Sequence, residues 1–139
     1  MKIYLCGPIG GRVNRNSAAF EAGAAYLRSL REVNKVVTPL KDITLHSPSV
    51  PCSNGKETGF PEDPHRYGCY LVACIRLLAT CDGIARLHDW GSSPGARTEM
   101  DFAAAAGIRV LQPVIDLAQL EIGRQRLGWP PLIQEAQVL

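Results

Sequence analysis

Short apolar runs alternate along this chain with longer stretches of helical periodicity. Lys2 to Cys6 reads as a strand, stopped by Gly7-Pro8. A glycine-rich turn follows, Gly7-Pro8-Ile9-Gly10-Gly11, with the polar residues Arg12, Asn14, Arg15, Asn16 and Ser17. From about Ser17 to Arg31, Phe20, Ala24, Leu27 and Leu30 fall on one helical face. Lys35 to Thr38 is a second short strand, closed by Pro39. Residues 40–64 lose all period among Pro48, Pro51, Pro61, Pro64 and Asn54-Gly55, and read either as a lid or as a disordered insertion. His65 to Thr80 predicts a helix with a stripe of Tyr67, Tyr70, Leu71, Cys74, Leu77, Leu78 and, just beyond it, Cys81. Asp82-Gly83 leads into a buried strand, Ile84 to Leu87, and a polar loop runs from His88 to Gly95. A helix over about Pro94 to Ala106 has Gly107 placed to end it. Arg109 to Leu111 is a last strand, and a helix is expected from Asp116 to Gly123 or beyond, before a tail with Trp129-Pro130-Pro131. Strands alternating with helices predict an α/β fold, an open parallel sheet covered on both faces, in a single domain over residues 1–139 with a less defined extension over 114–139.

Composition narrows the function classes. With 139 residues, 46% hydrophobic and 20% charged, the chain is long enough for one buried core. A net charge of +2 does not suggest a partner of polymeric nucleic acid. No apolar run approaches a membrane span, and the apolar start is too short for a signal peptide, so the expected location is cytoplasmic. The five cysteines, Cys6, Cys52, Cys69, Cys74 and Cys81, include no C-x-x-C and no paired histidines of zinc type. They read as reduced, mostly buried thiols, and neither a metal nor a cofactor is expected.

Ligands of open α/β sheets bind beyond the carboxyl ends of the strands. Two loops fall there, Gly7–Asn16 and His88–Gly95. In the second, Ser92 or Ser93 suits an N-cap with Pro94 at the first helical position. Such an N-terminus is either an ordinary capped helix or an anion site, to which Arg97 could add its guanidinium. Glu99 carries more information. Its helical neighbours Gly95, Ala96, Phe102 and Ala103 are small or apolar, a face on which a carboxylate rarely sits without a partner. It is either a member of a buried ion pair, with an arginine of the first loop as partner, or a functional acid. Arg97 and Asp101 are spaced for a surface ion pair. The first loop matches neither common phosphate-loop pattern, and its glycines serve either a plain tight turn or close backbone approach to a ligand.

Taken together, Lys2-Ile3-Tyr4-Leu5-Cys6-Gly7-Pro8-Ile9-Gly10-Gly11, Cys81-Asp82-Gly83-Ile84 and Trp90-Gly91-Ser92-Ser93-Pro94-Gly95-Ala96-Arg97-Thr98-Glu99 resemble the nucleoside 2-deoxyribosyltransferase superfamily, over roughly residues 1–112. The most similar branch is that of small domains frequent in phages and prophages, with likeness to 2′-deoxynucleoside 5′-monophosphate N-hydrolases. The resemblance implies a flavodoxin-like, Rossmann-like three-layer fold, a homodimer or larger assembly, and cleavage of an N-glycosidic bond without a cofactor. It implies Glu99 as nucleophile on the anomeric carbon, held by Tyr4, with the logic of a retaining glycosidase. It also implies a substrate pocket lined by Gly7, Pro8, Ile9 and Gly10, with Asp89, Ser93, Gly95 and Arg97 near the substrate. The transferases of free nucleosides resemble one another in having Asp where this chain has Ser93. The monophosphate hydrolases have Ser, which receives the phosphate, so a nucleotide is expected ahead of a nucleoside. One departure stands out. The superfamily has an Asp on the preceding helix, eight residues before the Asp that matches Asp82, and here that position is Cys74. Its place on the apolar stripe reads as a small buried residue, and Asp63, His65, His88 or Asp89 are the candidates to replace the missing acid. Without a replacement, the domain would bind nucleotides and cleave them slowly or not at all.

Overall fold

The structure is a computed structural model that describes residues 1–47, 52, 55–60, 63–112 and 114–127. Four parallel strands form an open sheet in the order β2-β1-β3-β4: β1 Lys2–Cys6, β2 Lys35–Val37, β3 Gly83–Arg86 and β4 Arg109–Val110. Register runs Lys2 to Lys35 on one side of β1 and Ile3 to Gly83 on the other, and Gly83 faces Arg109. Four α-helices connect and flank the sheet: α1 Ser17–Arg28, α2 Tyr67–Leu78, α3 Pro94–Ala106 and α4 Leu117–Leu127. The alternation of side chains along β1 divides the core in two. Ile3 and Leu5 pack with Phe20, Ala24 and Leu27 of α1, with Leu117 and Leu120 of α4 against the same cluster. Tyr4 and Cys6 pack with Cys74 and Leu78 of α2 and Ala96 and Ala103 of α3. The result is the expected three-layer α/β fold, with the sheet between two pairs of helices.

The elements differ from the sequence expectation mainly at their ends. Helix α1 stops at Arg28, where Ser29 hydroxyl and amide both bond to the Tyr26 carbonyl. Helix α2 starts at Tyr67, because the Tyr67 N–H is taken by the Lys56 carbonyl and Glu57 bridges to Arg66. The N-terminal part of its apolar stripe (Tyr67, Tyr70 and Leu71) borders a cavity rather than packing in the core. The segment Trp129-Pro130-Pro131 lies outside the described residues.

Parallel pairing on both sides requires β3 to run close between its neighbours. A Cβ on Gly83 would stand 2.7 Å from Leu111 Cδ1, 3.0 Å from Ile3 Cδ1 and 3.1 Å from the Arg109 carbonyl oxygen. The last contact is backbone and cannot swing aside. Gly83→Ala is therefore expected to destabilise the chain by about 2 kcal/mol through overpacking. Urea unfolding would read this as a lower midpoint with an unchanged slope; an unchanged midpoint would mean that β4 yields freely.

Candidate active site

The order β2-β1-β3-β4 puts the topological switch between β1 and β3, and the loops leaving both strands meet beyond their carboxyl ends. A cavity of about 1050 Å³ opens there. Gly7, Ile9 and Gly10 border it after β1, and Thr38 to Ile43 border it after β2. Helix α3 contributes Ser93, Gly95, Ala96 and Glu99 from its first turns, and α2 contributes Tyr67, Tyr70 and Cys74. Thr58, Phe60 and Asp63 of the irregular segment complete it. That segment is tied down by the Glu57–Arg66 ion pair at 3.3 Å and by the bond from Tyr67 N–H to Lys56 carbonyl at 2.8 Å.

Glu99 is 5% exposed and reaches the cavity from the inner face of α3. Among the described residues it forms no ion pair. Neither first-loop arginine pairs with it: Arg12 pairs with Asp89 at 3.0 Å, and Arg15 stands over the Phe60 ring. Among the described residues neither Glu99 Oε2 nor the hydroxyl of Tyr4, fully buried on β1, has a hydrogen bond of full geometry, although the phenol is near enough to favour the charged carboxyl. Tyr4, Glu99 and Cys74 form one electrostatic group even so. Burial pushes the Glu99 carboxyl up from 4.5 to about 7, opposed only by the nearby Tyr4 phenol. Burial, then the Glu99 and Cys74 charges, raise Tyr4 far above its ordinary range, so it stays a phenol. Burial, with Glu99 beside it, pushes the Cys74 thiol up to about 12. A buried polar atom left unpaired costs on the order of 1–3 kcal/mol. Two of them at the base of one cavity are the pattern of a site built for a ligand rather than for stability.

The N-terminus of α3 is capped as its residue types predict. Ser93 Oγ accepts from the Ala96 amide at 3.2 Å, and the Ser93 carbonyl accepts from the Arg97 amide at 3.0 Å. The Gly95 amide lies against the Tyr67 hydroxyl oxygen, and a Cβ on Gly95 would fall 2.7 Å from that atom. The first-turn amides are thus engaged, as in the ordinary capped helix of the two readings. What Ser93 retains toward the cavity is its own O–H, because capping uses only an oxygen lone pair.

Of the residues expected at the site, Gly7, Ile9, Gly10, Ser93, Gly95 and Glu99 border the cavity; Tyr4 does not, but it packs in one cluster with Cys74 and Ala96, which do. Pro8, Asp89 and Arg97 do not border it. Pro8 offers its carbonyl to Asn16 Nδ2 at 2.8 Å. Asp89 is held by Arg12, which also reaches Ser92 Oγ at 3.3 Å. Arg97 lies two residues from Glu99, on the opposite side of the helix, and donates to the Gly91 carbonyl at 3.1 Å. The expected Arg97–Asp101 pair is not among the ion pairs of the described residues. His88 is exposed and outside the cavity lining.

The arginine that stands at the cavity is Arg15 rather than Arg97. It borders the cavity with its guanidinium 4.4 Å over the Phe60 ring. Its backbone is left-handed (φ 55), between Asn14 (φ 49) and Asn16 (φ 63). Asparagine tolerates that conformation and arginine does not favour it, so Asn14 and Asn16 are the sequence signal for this turn. Facing Arg15 is Asp63, whose Oδ1 accepts from Tyr70 at 2.7 Å and from the His65 amide at 3.0 Å. Partial burial acts to raise the Asp63 carboxyl, but these bonds and Arg15 outweigh it and hold the group below its ordinary range. Burial and Asp63 push Tyr70 up to about 12.

Linear spacing concealed a second cluster. The donor atoms of His46, Cys52, His65 and Cys69 all lie within 4.8 Å of one another. The visible trace of it in the sequence is His65-x-x-x-Cys69, one helical turn apart at the start of α2.

Fold and cavity together define an open α/β domain with a buried carboxylate at the carboxyl end of its sheet. Residues 1–112 match the family described as Domain of unknown function (DUF4406), and the chain belongs to that family. No curated protein and no solved structure matches it. Among the described residues, no helix is long and apolar enough to cross a membrane.

Proposed function

We propose that this protein cleaves the N-glycosidic bond of (deoxy)nucleoside 5′-monophosphates and releases the free base, with Glu99 as nucleophile. One observation carries the reading: a carboxylate 5% exposed, with no ion-pair partner among the described residues, borders a cavity large enough for a nucleotide. In the first step a Glu99 oxygen bonds to C1′ as the C1′–N bond breaks and its electron pair leaves with the base, which takes up a proton. Water then attacks C1′ and releases the sugar 5-phosphate, restoring the carboxylate. Tyr4 positions Glu99, because its phenol is the one group that favours the charged carboxyl. Ser93 O–H and the Arg15 guanidinium meet the phosphate. The reading includes a homodimer or larger assembly and a cytoplasmic, phage-type setting.

A second reading, nucleotide binding with impaired cleavage, is favoured by the acids available. Cys74 stands near 12, Tyr70 near 12, and Asp63 is held below its usual range, so none is matched to donate a proton near neutrality. Of the other replacements named from sequence, His65 is turned toward His46 and Cys69, Asp89 is held by Arg12, and neither Asp89 nor His88 borders the cavity.

Chromatography for free base, after incubation of the full chain with a panel of nucleosides and 5′-monophosphates, separates these readings. Base released from a monophosphate and not from its nucleoside is the expected result. No release, with thermal stabilisation by a nucleotide, would replace it with the binding reading. Neither release nor stabilisation would remove both.

A further inference from the structure

The His46, Cys52, His65 and Cys69 cluster lies at the far side of the segment that borders the cavity, and the function proposed above makes no use of it. Its donor atoms, all within 4.8 Å of one another, include two separations of the size a coordination shell sets. A tetrahedral zinc ion with bonds of about 2.0–2.3 Å sets its donor atoms roughly 3.3–3.8 Å apart. Here His65 Nδ1 is 3.2 Å from His46 Nε2 and 3.7 Å from Cys69 Sγ. The atoms next to the cluster are arranged as the outer shell of a metal site requires. His46 turns Nε2 inward while its Nδ1 faces the Ser47 carbonyl oxygen at 2.9 Å, which fixes the tautomer with a lone pair on Nε2. The Arg66 amide donates to Cys52 Sγ at 3.2 Å, a bond that stabilises a thiolate. His65 and Cys69 are buried, on the last residues before α2 and on its first turn.

We propose that His46, Cys52, His65 and Cys69 bind one zinc ion, which fastens the irregular segment between β2 and α2 to the start of α2. Two thiolates and two neutral imidazoles select zinc over the harder divalent cations. Binding to the thiols releases two protons to solvent and leaves the site neutral, with no change of oxidation state. All four donor positions belong to the protein, so the site is closed and structural rather than catalytic. Asp63, two residues before His65, bonds to the His65 amide and borders the cavity, so the ion would hold one wall of the candidate active site in place. The inference does not depend on what the cavity binds.

The test is the metal content of the full chain, purified without a histidine tag and measured by elemental mass spectrometry, with titration of its thiols. About one zinc per chain is expected, falling below about a tenth in Cys52→Ser and in Cys69→Ser and unchanged in Cys81→Ser. If the serine variants do not fold, cobalt(II) added to the reduced, metal-stripped wild type decides. Tetrahedral ligand-field bands with sulfur-to-cobalt charge transfer are expected. Absence of both zinc and a cobalt spectrum would overturn the proposal. So would stoichiometric zinc that survives both serine substitutions.

Discussion

Glu99→Gln is expected to lower base release from a nucleoside 5′-monophosphate by about 10³-fold or more and at the same time to make the protein more stable. The two effects share one cause. An amide cannot attack C1′, and it carries no charge to be buried. The wild-type carboxyl has its pKa raised by burial from 4.5 to about 7. Below about 4.5 it is protonated in both the folded and the unfolded chain and contributes nothing to the pH dependence. Between these values the folded chain holds the proton more tightly, so stability falls as pH rises. Above about 7 the full cost is present, on the order of 3 kcal/mol. Thermal melts of wild type and variant should therefore nearly coincide at pH 4.5 and separate up to pH 8, by at most about 10 °C. A constant offset at all pH values would mean that Glu99 titrates normally and is not the buried, unpaired group described above. Base release by the wild type should rise with pH through the same range, since the nucleophile must be ionised.

Ser93→Asp is expected to weaken binding of a 5′-monophosphate by about 10²–10³-fold while leaving the fold intact. The stability expectation follows from capping. Asp accepts the Ala96 amide as well as Ser does, so the start of α3 is preserved. The binding expectation follows from charge. A carboxylate a few ångströms from a phosphate dianion, at an effective dielectric near 20, opposes binding by several kcal/mol. Nucleoside binding, which lacks the phosphate, should change by less than about threefold, or improve if the carboxylate meets the sugar hydroxyls. Equal losses for nucleotide and nucleoside in calorimetric titrations would show that Ser93 does not face the phosphate.

The sequence carried the fold well because its periodicities were clean. β1 and α3 end where residue chemistry says they should, at Gly7-Pro8 and at Gly107 with φ 75. Glu99 was legible as an anomaly, a carboxylate on a face of glycine and alanine, but not as an unpaired one. That depends on Arg12 being spent on Asp89 and on Arg15 lying over Phe60. Arg97 is near the helix start in sequence but not at the cavity, because a two-residue offset from Glu99 turns a helical side chain to the far side. Arg15 could not be placed from sequence, because its position depends on three consecutive left-handed residues. The His46–Cys69 cluster was hidden for a related reason. Its members are spread over a stretch without period, and only the chain's return through Glu57 and Arg66 brings them together.

The central claim is a covalent bond between Glu99 and the sugar. A 2-deoxy-2-fluoro nucleoside 5′-monophosphate slows both steps by disfavouring the oxocarbenium-like transition state, and with a good leaving base the glycosyl-enzyme accumulates. Tryptic digestion after acid quench yields the peptide 98–109, which contains Glu99. The account predicts that this peptide gains the mass of the fluorinated sugar phosphate, that the fragment ions place it on Glu99, and that the Glu99→Gln protein shows none. Release of base from the natural substrate with no adduct on peptide 98–109, or with the adduct on another residue, would contradict it.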